Sequence, residues 1–207
     1  MAQRRAEDVA LLAVSKTFPA AVVREAHEAG QCAFGESYVQ EALDKIAALR
    51  DLALEWHFIG PIQSNKTRAI AENFAWVHSV DRLKVAERLS AQRPQNLPLL
   101  NVCIQVNVSG ENSKGGVAPD EVVELAQAVA RLPHLSLRGL MAIPAPVDRL
   151  AEQRKQFARL RELMRQLGVQ GLKLDTLSMG MTHDLEAAVL EGATIVRVGT
   201  AIFGQRQ

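Results

Sequence analysis

The sequence is short of several residue types, and each shortage excludes a class of protein. Of 207 residues, two are cysteine and 4% are aromatic, and the formal net charge is +1. The near balance of 24 basic and 23 acidic side chains gives no electrostatic reason to bind a phosphate backbone, so we expect no nucleic-acid partner. No apolar run approaches the roughly 20 residues of a membrane helix, and the N-terminal residues lack the apolar core of a signal peptide. We therefore expect a cytoplasmic protein with no membrane partner.

The cysteines and histidines also lack the spacings of known sites. Cys32 and Cys103 each lie in an apolar stretch outside any CxxC motif, so we expect both to be small buried hydrophobic residues. The five histidines form no HExxH pair, and Ser178 lacks the glycine that precedes a nucleophile elbow. These patterns exclude a zinc protease and a serine hydrolase.

What the sequence does contain is a repeated alternation of short apolar runs with longer stretches of helical period. The runs predict eight strands, at Leu11–Ser15, Gln31–Gly35, Glu55–Ile59, Ala75–Ser79, Leu99–Val108, Ser136–Ile143, Leu174–Met179 and Thr194–Val198. Seven helices are predicted between them, at Ala20–Ala29, Tyr38–Arg50, Ser64–Ala71, Arg82–Gln92, Pro119–Arg131, Asp148–Leu167 and Thr182–Glu191. The alternation favours a single-domain α/β chain, 1–207, folded as a (β/α)8 TIM barrel. An open doubly wound sheet fits less well, because no Gly-rich dinucleotide turn follows the first strand.

Active sites of such barrels lie where strands end, and polar residues cluster at these junctions here. Lys16 follows the first strand, where desolvation would favour a neutral amine that attacks carbonyl carbons. On spacing alone, a solvated lysine is the favoured interpretation. Glu36, after the second strand, either orients Lys16 or caps the next helix. Asp81 and Arg82 are expected to pair locally at a helix start.

Two small-residue turns near the C-terminus suggest an anion site. The residues from Ser178 to Thr182 predict the end of a strand, a tight turn and the start of a helix, and the free N–H groups of a helix start suit a phosphate. A simple turn capped by Thr182 fits the same residues equally well. A second turn follows at Gly199 and Thr200, beside the last strand, where barrels often bind phosphate. The glycine spacing to Gly204 resembles a P-loop, but Gln and Arg follow in place of Lys and Ser/Thr, so ATP binding is not supported.

Six segments closely resemble the YggS/PROSC pyridoxal phosphate homeostasis family, in collinear order over nearly the whole chain. They are 13–17 (AVSKT), 34–41 (FGESYVQE), 56–66 (WHFIGPIQSNK), 137–141 (LRGLM), 178–181 (SMGM) and 196–204 (VRVGTAIFG). The resemblance implies a barrel similar to the N-terminal domain of alanine racemases, binding pyridoxal 5'-phosphate without a firmly assigned catalytic activity.

The same resemblance implies roles for individual residues. Lys16 matches the lysine that forms the internal aldimine, and Arg197 matches the arginine that faces the pyridine nitrogen. An arginine there can only donate hydrogen bonds, so the ring nitrogen stays unprotonated. The cofactor is then a weak electron sink. Ser178, Gly199 and Thr200 match the phosphate-binding turns, and Asn65 is expected near the cofactor.

The chain departs from the family pattern in three places. Ser37 stands where the family usually has asparagine, so an amide contact to the cofactor is lost or shortened. Thr182 replaces a common serine and keeps the cap. Only about ten residues precede Leu11, where family members usually carry a further helix, so we expect a lower melting temperature than that of a full-length relative.

The leading functional interpretation is a monomeric carrier for vitamin B6 homeostasis. It would hold pyridoxal phosphate as a reversible lysine aldimine and deliver it to apo-enzymes, without catalytic activity of its own. The main alternative is a pyridoxal phosphate-dependent amino-acid racemase. Racemases of this barrel type need a tyrosine from a second domain or subunit as second base, and Tyr38 is the one tyrosine here. A third interpretation, a Schiff-base aldolase for phosphorylated sugars, uses Lys16 and the phosphate turns with no cofactor.

Overall fold

The computed structural model of the protein describes residues 4–111 and 114–205, and these contain eight parallel strands. The strands close into a barrel in which each pairs with its neighbours in chain order and β8 pairs with β1. Their bounds are β1 (Ala10–Val14), β2 (Ala33–Glu36), β3 (Glu55–Phe58), β4 (Trp76–Val80), β5 (Leu100–Gln105), β6 (Leu135–Met141), β7 (Thr176–Ser178) and β8 (Ile195–Val198). The predicted TIM barrel is confirmed.

Helices connect the strands and cover the outside of the barrel. They are α1 (Ala20–Glu28), α2 (Val39–Ala48), α3 (Thr67–Asn73), α4 (Leu83–Gln92), α5 (Val122–Val129), α6 (Leu150–Val169), α7 (Leu185–Leu190) and α8 (Thr200–Phe203). Short 3-10 helices lie at Ala6–Asp8 and Ser64–Lys66. All seven predicted helices are present with shifted ends, and the one-turn helix α8 was not predicted. None of the described helices is long and apolar enough to cross a membrane.

The apolar core has two parts because each strand alternates its side chains between the helix layer and the barrel interior. The larger part packs strands against helices; Phe34, Ile70 and Phe157 are fully buried there. The smaller part fills the barrel interior and comprises Leu12, Trp76, Cys103, Met141 and Ile195. The barrel interior is thus a packed core of side chains.

The two cysteines differ in their surroundings. Cys103 is buried in the barrel interior, as predicted, and burial raises the pKa of its thiol to about 12. Cys32 is exposed, so the prediction that both are buried is wrong for this residue. It precedes β2 at the barrel's N-terminal mouth, where the chain enters the strand from solvent.

Candidate functional site

A cavity of about 250 Å³ opens at the mouth of the barrel formed by the C-terminal ends of the strands. Its polar lining comes from the segments that follow β1, β2, β7 and β8, together with Arg197 of β8 itself: Lys16, Ser37, Thr182, His183, Arg197, Gly199 and Thr200. Its apolar lining consists of Val14, Ile59, Ile143 and Met181. An amine, a guanidinium, hydroxyls and a glycine backbone therefore face one small space with apolar walls.

Lys16 is half-buried at the end of β1, and the backbone beside it is strained. Thr17, the next residue, has a φ of 70°. A β-branched residue in this left-handed region costs on the order of 1–3 kcal/mol, so the surrounding structure must enforce it. The Glu41 carboxylate does so, since its Oε1 accepts a hydrogen bond of 2.6 Å from the Thr17 N–H.

A buried charge cluster lies against this same turn. The Lys45 ammonium donates to Glu36 Oε1 at 2.7 Å, to Glu41 Oε1 at 2.6 Å and to the Ser15 carbonyl oxygen at 2.7 Å. The Ser15 hydroxyl also donates to Glu36 Oε1, at 2.6 Å. Lys45 therefore joins two carboxylates to the backbone that carries Lys16.

Glu36 belongs to this cluster and not to the cavity. Its side chain is fully buried, and burial raises its pKa above the ordinary 4.5 against the opposing hydrogen bonds from Lys45 and Ser15. The alternative in which Glu36 caps the next helix is wrong, because the N-cap of α2 is Tyr38 and receives no side-chain cap. The bonds of Glu36 to Ser15 and Lys45 place it against the residue before Lys16, so its role in orienting Lys16 stays a prediction. The ion pair of Asp81 with Arg82, at 2.6 Å, is confirmed.

Arg197, on β8, is buried at the floor of the cavity and tied down on two sides. One terminal nitrogen donates to the Ser178 hydroxyl at 2.7 Å and to the Ser178 carbonyl at 2.6 Å. The other donates to the Ala142 carbonyl at 2.8 Å. Burial lowers its pKa to about 10, which leaves the guanidinium charged at neutral pH.

The predicted site residues divide into two groups. Lys16, Arg197, Gly199 and Thr200 meet at the cavity. Ser178 is fully buried and is not among the lining residues, because its hydroxyl lies between Arg197 and His78. Asn65 is exposed in the short 3-10 helix after β3 and is also not among them.

The turn after β7, which the sequence indicated as part of an anion site, supplies the cavity residues Met181, Thr182 and His183. Gly180 has a φ of 96°, and a Cβ atom there would lie 2.6 Å from Ala188 Cβ, so only glycine fits without strain. Helix α7 begins at Leu185, later than predicted, and the Met181 N–H donates to Asp184 Oδ1 at 2.6 Å. The prediction that Thr182 caps this helix is therefore wrong; Thr182 faces the cavity.

Comparison with known proteins agrees with this geometry. The family model described as "Alanine racemase, N-terminal domain" matches residues 1–207. A pyridoxal phosphate homeostasis protein of Pseudomonas aeruginosa is 68% identical over 198 residues, which are 96% of this chain and 85% of that protein. The protein of the same name from Escherichia coli is 55% identical, over 98% of this chain and 88% of its own length.

Solved structures show the same barrel. PipY of Synechococcus elongatus, solved with pyridoxal phosphate bound, is 42% identical with a TM-score of 0.88, over 98% of this chain and 95% of that one. An alanine racemase of Clostridium difficile, 14% identical with a TM-score of 0.82 over 97% of this chain and 53% of its own, shares the fold alone. The chain belongs to the alanine racemase N-terminal domain family and, within it, to the pyridoxal phosphate homeostasis proteins.

Proposed function

We propose that this protein binds pyridoxal 5'-phosphate in the cavity at the C-terminal mouth of the barrel and serves vitamin B6 homeostasis. The observation that carries the proposal is that Lys16 and Arg197 line one cavity together with Gly199 and Thr200. The names of the relatives and the solved complex of PipY with pyridoxal phosphate support the same ligand.

The residues of the cavity suit the cofactor's chemistry. Thr182 and Thr200 offer hydroxyl groups and Gly199 offers close backbone approach, which together suit a phosphate group. The apolar side chains Ile59 and Ile143 can cover the faces of an aromatic ring. Ser178 has a different role in this proposal, since its hydroxyl is bonded to Arg197 inside the barrel.

Lys16 holds the ligand covalently in this proposal, as a reversible aldimine. The neutral amine attacks the aldehyde carbon, a carbon–nitrogen bond forms and water leaves; addition of water reverses the step. Because the protonated amine cannot attack, binding weakens in acid. The Lys45 cluster keeps Lys16 in place through its bond to the Ser15 carbonyl.

In this proposal Arg197 explains why the protein binds the cofactor without catalysing a reaction on it. The bound cofactor supplies an electron-withdrawing ring, which is strongest when its nitrogen is protonated. Arg197 stays charged at neutral pH and has hydrogens only to donate, so it gives that nitrogen a hydrogen bond and no proton. The site therefore favours storage and release of the cofactor over carbanion chemistry.

The racemase alternative lacks its second base. Tyr38 is 56% exposed at the start of α2, and it is not among the residues that line the cavity. We propose that the chain acts as a single-domain monomer that releases the cofactor to apo-enzymes.

Titration with pyridoxal phosphate tests the proposal. We expect a visible absorption band to saturate at one ligand per chain, to disappear in Lys16→Ala and to persist in Lys84→Ala, which alters an exposed lysine on α4. Loaded protein should restore activity to an apo-enzyme and should not racemise alanine. Absence of the band in the unaltered protein would overturn the binding proposal, and racemisation at ordinary enzyme rates would overturn the carrier role.

A further inference from the structure

A continuous chain of hydrogen bonds crosses the inside of the barrel from one mouth to the other. Glu55 Oε1 lies 2.8 Å from His57 Nε2, and His57 Nδ1 lies 2.9 Å from His78 Nε2. His78 Nδ1 lies 2.7 Å from the Ser178 hydroxyl, which accepts from Arg197 at 2.7 Å. We call these five residues the interior chain.

The two ends of the interior chain lie in different surroundings. Glu55 is the first residue of β3, at the N-terminal mouth, and its side chain is 51% exposed. The four other members are buried, and Arg197 lines the cavity at the opposite mouth. The interior chain thus links the solvent-exposed carboxylate of Glu55 to the Arg197 guanidinium at the candidate site.

Elementary hydrogen-bond chemistry fixes the direction of every proton in the interior chain. An ionised Glu55 only accepts, so His57 must carry its proton on Nε2 and use Nδ1 as an acceptor. His78 must then carry its proton on Nε2, which leaves its Nδ1 to accept from the Ser178 hydroxyl. The Ser178 oxygen is left to accept from Arg197. All donors therefore point away from the arginine and towards the carboxylate.

Burial keeps this pattern stable at neutral pH. It lowers the pKa of His57 below its ordinary value and lowers that of His78 well below it, so both rings stay neutral. The hydrogen bond from His57 lowers the pKa of Glu55, which stays ionised. With both rings neutral and the carboxylate ionised, this arrangement of protons satisfies every member of the interior chain.

The charged groups around the two ends of the interior chain differ. Among the residues that the structure describes, no carboxylate forms an ion pair with Arg197. The ionisable groups that interact with it include His78 of the interior chain, Asp184, from the turn after β7, and Cys103, from β5. At the other end, Glu55 feels Arg138 of β6, whose guanidinium is paired with Asp175 at 2.6 Å. The ring of Trp76 stacks on His57 with centroids 5.4 Å apart.

We propose that the interior chain, together with the backbone carbonyls of Ser178 and Ala142, fixes the orientation of the Arg197 guanidinium, and that Glu55 is a positioning residue acting across the full depth of the barrel. The inference rests on the proposed function, in which Arg197 meets the nitrogen of the bound ring. A carboxylate at one mouth then sets how strongly the arginine polarises a ligand at the other, because hydrogen bonds in a low-dielectric chain polarise one another.

Nitrogen NMR of histidine side chains in the ligand-free protein tests the proton pattern directly. We expect His57 and His78 each to show one neutral tautomer, with the proton on Nε2, at pH 7. In Glu55→Gln the amide can donate or accept, so both rings should populate two tautomers. Glu87→Gln, an exposed change on α4, should leave the signals unaltered. A proton on Nδ1 of either ring in the unaltered protein would overturn the proposal.

The protein loaded with pyridoxal phosphate tests whether Glu55 affects the ligand through the interior chain. Without the Glu55 carboxylate the charge of Arg197 is less compensated, which disfavours added positive charge on the ligand. The midpoint measured is the pH at which half of the visible absorbance is lost on acidification. It should therefore fall by about half a pH unit in Glu55→Gln, as expected for loss of one charge across a partly screened interior. Ser178→Ala, which cuts the chain beside Arg197, should shift the midpoint in the same direction.

The outcomes separate this inference from the proposed function. If the unaltered protein shows no visible band, the proposed function fails, and the tautomers in the ligand-free protein still decide the interior chain. A second outcome is that the band forms, the pH midpoint of Glu55→Gln equals that of Glu87→Gln, and Ser178→Ala alone shifts it. In that case the interior chain does not carry the effect of the Glu55 charge to Arg197, and the inference is wrong. Thermal melting confirms that each variant is folded.

Discussion

Lys45 Nζ lies 2.7 Å from the carbonyl oxygen of Ser15, one residue before the lysine of the candidate site. The Lys45 side chain is 5% exposed, and its ammonium also pairs with Glu36 and Glu41. A buried cation outside the barrel wall therefore anchors the backbone whose other side carries Lys16. The strained Thr17 that follows is bonded to Glu41 of the same cluster.

Removal of the Lys45 ammonium should destabilise the protein and loosen Lys16. Lys45→Met leaves Glu36 buried without its partner, which costs about 3 kcal/mol of unfolding free energy. The exposed control Lys84→Met should change it by less than about 0.5 kcal/mol. The double variant with Glu36→Gln should recover part of the loss, because no uncompensated charge remains. Urea unfolding measures all three, and equal stability of Lys45→Met and Lys84→Met would refute this role.

Gly180 should tolerate alanine poorly. With its φ of 96° and Ala188 Cβ at 2.6 Å from the new methyl group, Gly180→Ala should lose about 1–3 kcal/mol of stability. At Gly168, in α6, a methyl group would meet nothing within 4 Å, and Gly168→Ala should gain about 0.5–1 kcal/mol. Thermal melting compares the pair; a Gly180→Ala protein as stable as Gly168→Ala would contradict the assigned turn.

Stability should fall as the pH drops below 6.5. The folded protein holds the pKa values of His57 and His78 below 6.5, so the unfolded chain binds more protons in this range. Glu36 acts in the opposite direction, because its raised pKa favours the folded state until the pH rises through it. The lowered pKa values of carboxyl groups such as Glu55 and Asp175 add to the effect of the two histidines, so we expect a net loss of stability as the pH falls from 6.5.

Unfolding of the ligand-free protein at several pH values measures this slope. His57→Gln should reduce the slope by removing one of the two groups. His183→Gln, which changes an exposed histidine, should leave it as it was. A free energy of unfolding that stays constant from pH 6.5 down to about 5 would show that the buried rings titrate alike in both states.

The two thiols should react very differently. Cys32 is exposed, whereas Cys103 is buried with a pKa of about 12. At pH 8 a chromogenic disulfide should therefore modify one thiol per chain rapidly, and Cys32→Ser should abolish that phase. Rapid modification of two thiols per chain would contradict the burial of Cys103 in the barrel interior.

The fold could be predicted from the sequence because each strand and helix carries a local periodic signal. Boundaries were less certain where apolar residues continue past a strand: the run Leu99–Val108 predicted a longer strand than the observed Leu100–Gln105. Val106 and Val108 are buried beyond that strand end, so burial there does not mark strand structure.

The site could be predicted only in part, for a physical reason. Lys16 and Arg197 follow recognisable motifs at strand ends. The interior chain has no local signal, since His78 and Ser178 are 100 residues apart and meet only when the barrel closes. The same closure turns Ser178 inward to Arg197, which the motif around it does not indicate.

Trapping the bound cofactor tests the central claim most directly. The protein is loaded with pyridoxal phosphate and reduced with borohydride, which converts a carbon–nitrogen double bond to a stable amine, and the modified peptide is located by mass. We predict one pyridoxyl group per chain, on Lys16. Modification spread over exposed lysines such as Lys66 and Lys84, or no modification, would contradict the proposed binding site.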